Sequence, residues 1–263
     1  MLGVGRRLPG ETPTSGGAID RVLVAAGARW TRFAPMTVSW TESPLAGIDL
    51  ETTSPDPMTA RIVTAALVFP ESTLDRGWLL DPGVPIPCEA TAVHHITTEQ
   101  ARTDGVDYAL GYAEIREQLE RVWALGYVVV AFNASYDFTV LDRQGQRLGY
   151  PPLIHGPIAD PFVMDRELDR YRPGKRTLSA LCEHYGAVLG SAHDAGHDAK
   201  AAVALVKILA ARYTVDLGTL TPAELTAAQT GWHHDRQEDF AAWLRRKGRD
   251  AEDIDGQWPI RTA

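Results

Sequence analysis

Two cysteines in 263 residues, Cys88 and Cys182, are too few and too isolated for a disulfide framework or a thiolate metal site. No apolar run reaches the length of a membrane span. The opening stretch MLGVGRRLPGETPTSGG has two arginines but lacks the apolar segment that a secretory leader places behind them. These absences point to a cytoplasmic protein with no membrane partner. An excess of positive charge is missing too. The formal net charge of −8 argues against a protein that coats nucleic acid by electrostatics alone. It leaves room for an enzyme whose clustered acids hold metal beside a local basic rim. The loop DRYRPGKRT, with Arg170, Arg172, Lys175 and Arg176, reads equally as such a rim or as an ordinary solvated loop.

What is present divides the chain in three. Residues 1–40 form an N-terminal extension, Gly-, Pro-, Thr- and Ser-rich at its start and expected to be partly disordered; from about residue 19 a short helix and a lead-in strand are expected. From residue 41 to 215 strands come first, and strand and helix then alternate. LAGIDLE, ARIVTAALVFP and RGWLLDP read as a meander of strands. YAEIREQLERVWALG reads as an amphipathic helix stopped by Gly126. YVVVAFN is too apolar and β-branched for a surface strand. A helix capped by Ser135 follows, then helices near 160–169, 177–186 and 194–213. This order indicates an α/β fold with a mixed sheet. Residues 216–263 read as a helical extension of two stretches. Thr221, Pro222 and Glu224 make a capping box with proline at the first helical position.

Four stretches place acids or histidines where a plain core would not. In GIDLETTS, Ile48 and Leu50 share one face of a strand, and Asp49 and Glu51 share the other. Two neighbouring carboxylates repel, and a divalent cation between them is the simplest remedy. Asp137 lies just after the buried strand, in a first helical turn where open α/β sheets gather their active sites. His94 and His95 follow a proline-rich loop in AVHHIT. In HDAGHDA, His193 and Asp198 are five residues apart, about 140° around a helix. They face one site only if His193 precedes the helix, with Asp194 as its N-cap. Taken singly, an acid at a strand end forms turns and an acid at a helix start meets the dipole. Their joint recurrence at element ends suited to one sheet edge favours a shared site. A zinc hydrolase built on His193 and His197 is the weaker reading, because HDAGH lacks the glutamate of HExxH. His197 reads as a solvent-facing or supporting residue and His233 and His234 as surface residues. Trp123, Trp232 and Trp243 read as core.

DLETT, NASYDF and HDAGHDA, in this order and at these spacings, resemble the DEDDh 3′→5′ exonucleases, the family of the proofreading epsilon subunit of bacterial DNA polymerase III. The likeness covers about residues 45–213 and includes TLSALCEHYGAVLGSAHDA; the tail resembles an extension seen in actinobacterial and phage members. The resemblance implies a ribonuclease H-like fold with a central five-stranded mixed sheet. It implies that Asp49, Glu51, Asp137 and Asp198 hold two Mg²⁺ or Mn²⁺ ions, with His193 as general base. Leu50, Thr52, Thr53, His94 and Asn133 would line the terminal nucleotide. The expected substrate is a single-stranded 3′ end, DNA in preference to RNA, with release of nucleoside 5′-monophosphates. The tail is left with two uses: packing on the main domain, or meeting a replication or polymerase partner. The chain departs from the family's usual residues at Phe132 (often His), Tyr136 (Phe), Ser54 (Gly) and His95 (Gly), and keeps every implied catalytic residue.

Overall fold

The computed structural model describes residues 38–70, 72, 74–190 and 194–262. The expectations for residues 1–37, and for the placement of His193, lie outside the described residues.

Five strands form one sheet in the order β3-β2-β1-β4-β5: β1 (Leu45–Thr52), β2 (Ile62–Val68), β3 (Arg76–Leu79), β4 (Val128–Val130) and β5 (Ile158–Ala159). The first three make an antiparallel meander, and β4 and β5 add in parallel beside β1. This is the mixed sheet that the order of elements indicated, with the five strands that the family resemblance implied. In register, Gly47 faces Val68 and Asp49 faces Ala66, and the pairing shifts between Glu51 and Thr52. That irregularity ends the ladder where the acids sit, as bulges commonly do beside functional sites.

Helices cover both faces. On one side, α3 (Tyr108–Ala124) and α4 (Ala134–Arg147) pack Ile115, Leu119, Phe138 and Leu141 against Ile48, Leu50 and Ile62. On the other, α7 (Ala195–Arg212) lays Ala202, Val203, Val206 and Leu209 over Val128 and Val130. Its Ala-rich start meets Ala66 and Val68. Gly47 makes this approach feasible: a Cβ there would come within 2.7 Å of the Ala199 carbonyl and 2.9 Å of Val203. Two short helices, α1 (Cys88–His94) and α2 (Thr98–Asp104), follow the proline-rich loop and were not anticipated. A Thr97–Gln100 capping box opens α2. Helices α5 (Pro161–Leu168), α6 (Leu178–Tyr185) and α8 (Thr214–Leu217) complete the body before the last helix.

Several local expectations need correction. Ser135 is not the cap of α4. The cap is Asn133, in the left-handed conformation at φ 60° and ψ 48°, and it makes no side-chain cap bond. The donors there are taken by Asp160 instead, as described below. The tail is not two helical stretches but one 25-residue helix, α9 (Pro222–Arg246), opened by the expected Thr221–Glu224 capping box. Gly231 within it is tolerated at a cost of about 1 kcal/mol against alanine. Thr226 and Gln229 of α9 bond the open edge of β5. Ile158 N–H donates to Thr226 Oγ1 at 3.1 Å, and Gln229 Nε2 donates to the Ile158 carbonyl at 2.8 Å. The helix thereby shields a strand edge that would otherwise invite pairing. His233 is buried rather than on the surface, and burial beside Arg166 and Arg261 pushes its pKa down to about 4. Trp243 is 41% exposed and stacks on Phe240 rather than joining the core.

The basic rim is also revised. Asp165 is fully buried and draws Arg172 (3.2 Å) and Arg176 onto its carboxylate, with Tyr185 donating at 2.7 Å. A buried acid needs such partners, so these arginines serve the fold. Arg170 pairs with Glu167 at 2.8 Å.

Candidate metal centre

Strand alternation delivers the first two acids. Ile48 and Leu50 enter the core on the α4 side, which turns Asp49 and Glu51 toward α7. The third comes from α7, whose N-terminus is fixed by Asp194: its Oδ1 accepts from His197 N–H at 3.0 Å. Asp198 then lies in the first turn, close over β1 because of Gly47. One carboxylate oxygen each from Asp49, Glu51 and Asp198 lies within 4.8 Å of the others. Asp137 stands beside this trio in the first turn of α4. It is buried, and its Oδ1 accepts the Leu50 N–H at 3.2 Å, which ties α4 to β1 at the acidic position.

The electrostatics of this arrangement are unfavourable without a cation. Burial, together with Asp137, Glu51 and Asp198, holds Asp49 well above the ordinary aspartate pKa. Burial and the charges of Asp198 and Asp194 push Glu51 up to about 7. Burial also raises Asp137, with Asp160 and Glu51 adding to the rise. Like charges drawn together out of water behave in this way. Among the described residues the donor set is all oxygen, and it comes from two separate elements. It fits a hard divalent cation such as Mg²⁺ or Mn²⁺.

Other sequence-derived candidates fall around this centre in different ways. Glu51 and His94 line one open groove of about 570 Å³, which continues past Thr64, Leu79 and Gly77 and along Asp194 to Lys200. His94 is buried, which holds its pKa below the usual histidine range, and its Nδ1 accepts the Ile96 N–H at 3.1 Å. Thr52 Oγ1 donates to the Ser54 carbonyl at 3.0 Å and accepts from the Tyr136 hydroxyl, which also lies within hydrogen-bond reach of that carbonyl. Tyr136 thus ties the strand end to α4, a use of its hydroxyl that phenylalanine would lack. Thr53 Oγ1 accepts the Arg61 N–H at 3.0 Å, so this hydroxyl is engaged in the turn. The Leu50 side chain belongs to the core on the opposite face from the acids. His95 ends α1 at φ 63°, the left-handed region, which explains why glycine suits that place. His197 is exposed, with its Nδ1 3.3 Å from Asp194 Oδ1, and it is not part of the acidic trio.

A family model described as exonuclease matches residues 46–206, well over half of the chain. The chain belongs to this exonuclease family. Its motifs and fold place it among the DEDD exonucleases of the ribonuclease H-like superfamily. DNA polymerase III PolC-type of Staphylococcus aureus is 31% identical over 121 residues, which cover 45% of this chain and 8% of the polymerase. Among solved structures, E. coli Exonuclease I in complex with a dT13 oligonucleotide matches at a TM-score of 0.58 and 20% identity, covering 67% of this chain and 43% of that one. Exonuclease I from Methylocaldum szegediense matches at 0.52 and 21%, covering 65% and 41%. At these identities the structural likeness is one of fold. The chain spans under half the length of each.

One residue that matters here was passed over in the sequence. Asp160 is fully buried, and its carboxylate accepts the N–H groups of Asn133 (3.0 Å), Ala134 (2.9 Å) and Phe162 (2.9 Å). Burial pushes its pKa up to about 6 against the pull of these donors. The Asp-Pro pair at 160–161 is legible as a helix start, and the Phe162 bond is that cap. Its second duty, holding the N-terminus of another helix, has no local signature.

Proposed function

We propose that the chain is a metal-dependent 3′→5′ exonuclease that hydrolyses the terminal phosphodiester of single-stranded DNA and releases nucleoside 5′-monophosphates. The observation that carries this reading is the meeting of Asp49, Glu51 and Asp198 within 4.8 Å in a chain of the exonuclease family. Bound divalent cations, two in the arrangement that best suits in-line phosphoryl chemistry, would neutralise charge on the attacking and leaving oxygens. In this reading Asp49, Glu51 and Asp198 hold them, and Asp137, braced on β1 by the Leu50 N–H, completes the site. His193, immediately before the Asp194 cap, takes the proton of the attacking water, a task suited to a group that titrates near neutrality. The bond from phosphorus to the 3′ oxygen of the preceding nucleotide breaks, that oxygen takes a proton from water to become the new 3′-hydroxyl, and the attacking water oxygen remains on the released 5′-phosphate. In this reading the groove beside Glu51 and His94 receives the terminal nucleotide, and Thr52 and Asn133 are the further contacts that the family resemblance implies. The polymerase name of the relative favours DNA over RNA and a replication setting.

The test is degradation of a 5′-labelled single-stranded DNA oligonucleotide with Mg²⁺, Mn²⁺ or EDTA, using wild type, Asp49→Ala and His193→Ala. A ladder shortening from the 3′ end with metal, absent in Asp49→Ala and severely slowed in His193→Ala, supports the reading. Equal behaviour of all three proteins under every condition would sink it. A matched RNA oligonucleotide sets the sugar preference, since only contacts to the 2′-hydroxyl tell the two apart.

A further inference from the structure

The start of α4 is held mainly by residues that do not belong to it. Asn133 adopts the left-handed conformation, which asparagine reaches more readily than most non-glycine residues, without a side-chain cap, and its backbone is held from outside the helix. The first group that holds it is Asp160, whose two oxygens accept the N–H groups of Asn133 and Ala134. Asp160 is in turn gripped from the C-terminal end of the chain. Its own N–H donates to Gln229 Oε1 of α9 at 2.7 Å, and Trp258 Nε1 lies 3.4 Å from its Oδ2. Trp258 is 5% exposed and packs into the core cluster that includes Phe138.

The last residues then run along α4 itself. Arg261 N–H donates to Thr139 Oγ1 at 2.9 Å, and Arg261 Nη2 donates to Ser135 Oγ at 3.3 Å. Arg143 Nη2 returns a bond to the Arg261 carbonyl at 3.0 Å. Bonds from Asp160 or Arg261 therefore reach positions 133, 134, 135, 139 and 143, and Asp137 lies in the middle of that span. Gln229, Trp258 and Arg261 all lie beyond residues 46–206, the part that matches the exonuclease family.

We infer that Trp258 and Arg261 are positioning residues for the acidic centre: the C-terminal segment fixes the N-terminal half of α4 and so sets where Asp137 stands relative to Asp49. This rests on the proposed metal-dependent reading, in which Asp137 serves a bound cation. The physical basis is that a carboxylate binds a cation well only when its supporting shell holds it in place. A helix start that lacks its own cap depends on outside support for that precision. The tail is then part of what makes the site bind metal, whatever else it meets.

The test is Mn²⁺ binding to the full-length chain, read as loss of the free-ion electron paramagnetic resonance signal, with no substrate present. Wild type, Trp258→Ala, Arg261→Ala and the exposed-residue control Asp253→Ala are compared, each with a thermal melt in EDTA. Changes in a supporting shell commonly weaken metal binding 10–100-fold, and one layer further out we expect roughly 3–10-fold for Trp258→Ala and about 2–3-fold for Arg261→Ala. Asp253→Ala should match wild type. At saturating Mn²⁺ the oligonucleotide turnover of Arg261→Ala should return to the wild-type rate, a split that a generally damaged fold would not give. Arg261→Ala removes only the Nη2 bond to Ser135, since the bonds with Thr139 and Arg143 use the Arg261 backbone; should Trp258→Ala fail to fold, Trp258→Phe, which deletes the indole N–H facing Asp160 and keeps an apolar ring, decides the matter. Wild-type Mn²⁺ affinity in the folded variants overturns the inference. Absence of Mn²⁺ binding in wild type would instead overturn the metal reading beneath it.

Discussion

Replacing Glu51 with glutamine should make the metal-free protein more stable while destroying its use. Glu51 has a pKa raised from 4.5 to about 7, so the native chain holds this proton more tightly than the unfolded chain does. Stability in EDTA therefore falls as pH rises from about 4.5, and the penalty is complete a little above pH 7. At 1.36 kcal/mol per unit the full penalty is about 3 kcal/mol. Glu51 is partly open to solvent, and screening reduces this to roughly 1–2 kcal/mol. Glu51→Gln removes the charge and the slope with it. For a body of this size each kcal/mol corresponds to about 2–4 °C, so the expected gain at pH 8 is about 2–8 °C. At pH 5 wild-type Glu51 is largely protonated and the gain should shrink to about a quarter of the pH 8 value. Thermal melts at the two pH values in EDTA measure this directly. Added Mg²⁺ should reverse the order, because only wild type retains the full set of carboxylates. No gain at pH 8, or an equal gain at pH 5, would refute the argument that the acids are held together against their own repulsion.

Gly47→Ala should push α7 away from β1, because the new methyl would meet the Ala199 carbonyl at 2.7 Å; a loss of about 1–3 kcal/mol in urea unfolding, with weaker Mn²⁺ binding, is expected. Asp165→Ala leaves Arg172 and Arg176 buried without their acid and should cost about 3–5 kcal/mol by chemical denaturation. His95→Gly relieves a left-handed non-glycine residue at φ 63° and should raise stability by up to about 1 kcal/mol, seen as a higher unfolding midpoint. Tyr136→Phe deletes the hydroxyl that joins Thr52 and Ser54 to α4 and should lower stability by about 1–2 kcal/mol with little change in Mn²⁺ affinity.

The acids on β1 were legible because a strand alternates. Once Ile48 and Leu50 are assigned to a core, Asp49 and Glu51 must share the other face. Asp198 was legible because Asp194 marks a helix start by its type. Caps at Thr221 and Thr97 are equally local, and α2 was missed although Thr97 and Gln100 spell its box. What could not be read was dependence at long range. Ser135 has the right chemistry for a cap, yet Asp160, far along the chain, supplies those bonds and leaves Ser135 inside the first turn. Arg172 and Arg176 look like a basic rim until Asp165 is known to be buried beneath them. His233 looks like a surface histidine because its neighbours in sequence are polar, while its neighbours in space come from α5 and the chain's end.

The narrow seam at Gly47 also has a consequence in time. A ribosome delivers β1, with Asp49 and Glu51, long before it delivers α7, and the third carboxylate can join them only once that late helix has settled over the glycine. A partly synthesised chain, or one cut before α7, therefore carries Asp49, Glu51 and Asp137 without Asp198. In the proposed reading, assembly of the acidic trio is deferred until α7 covers its face of the sheet.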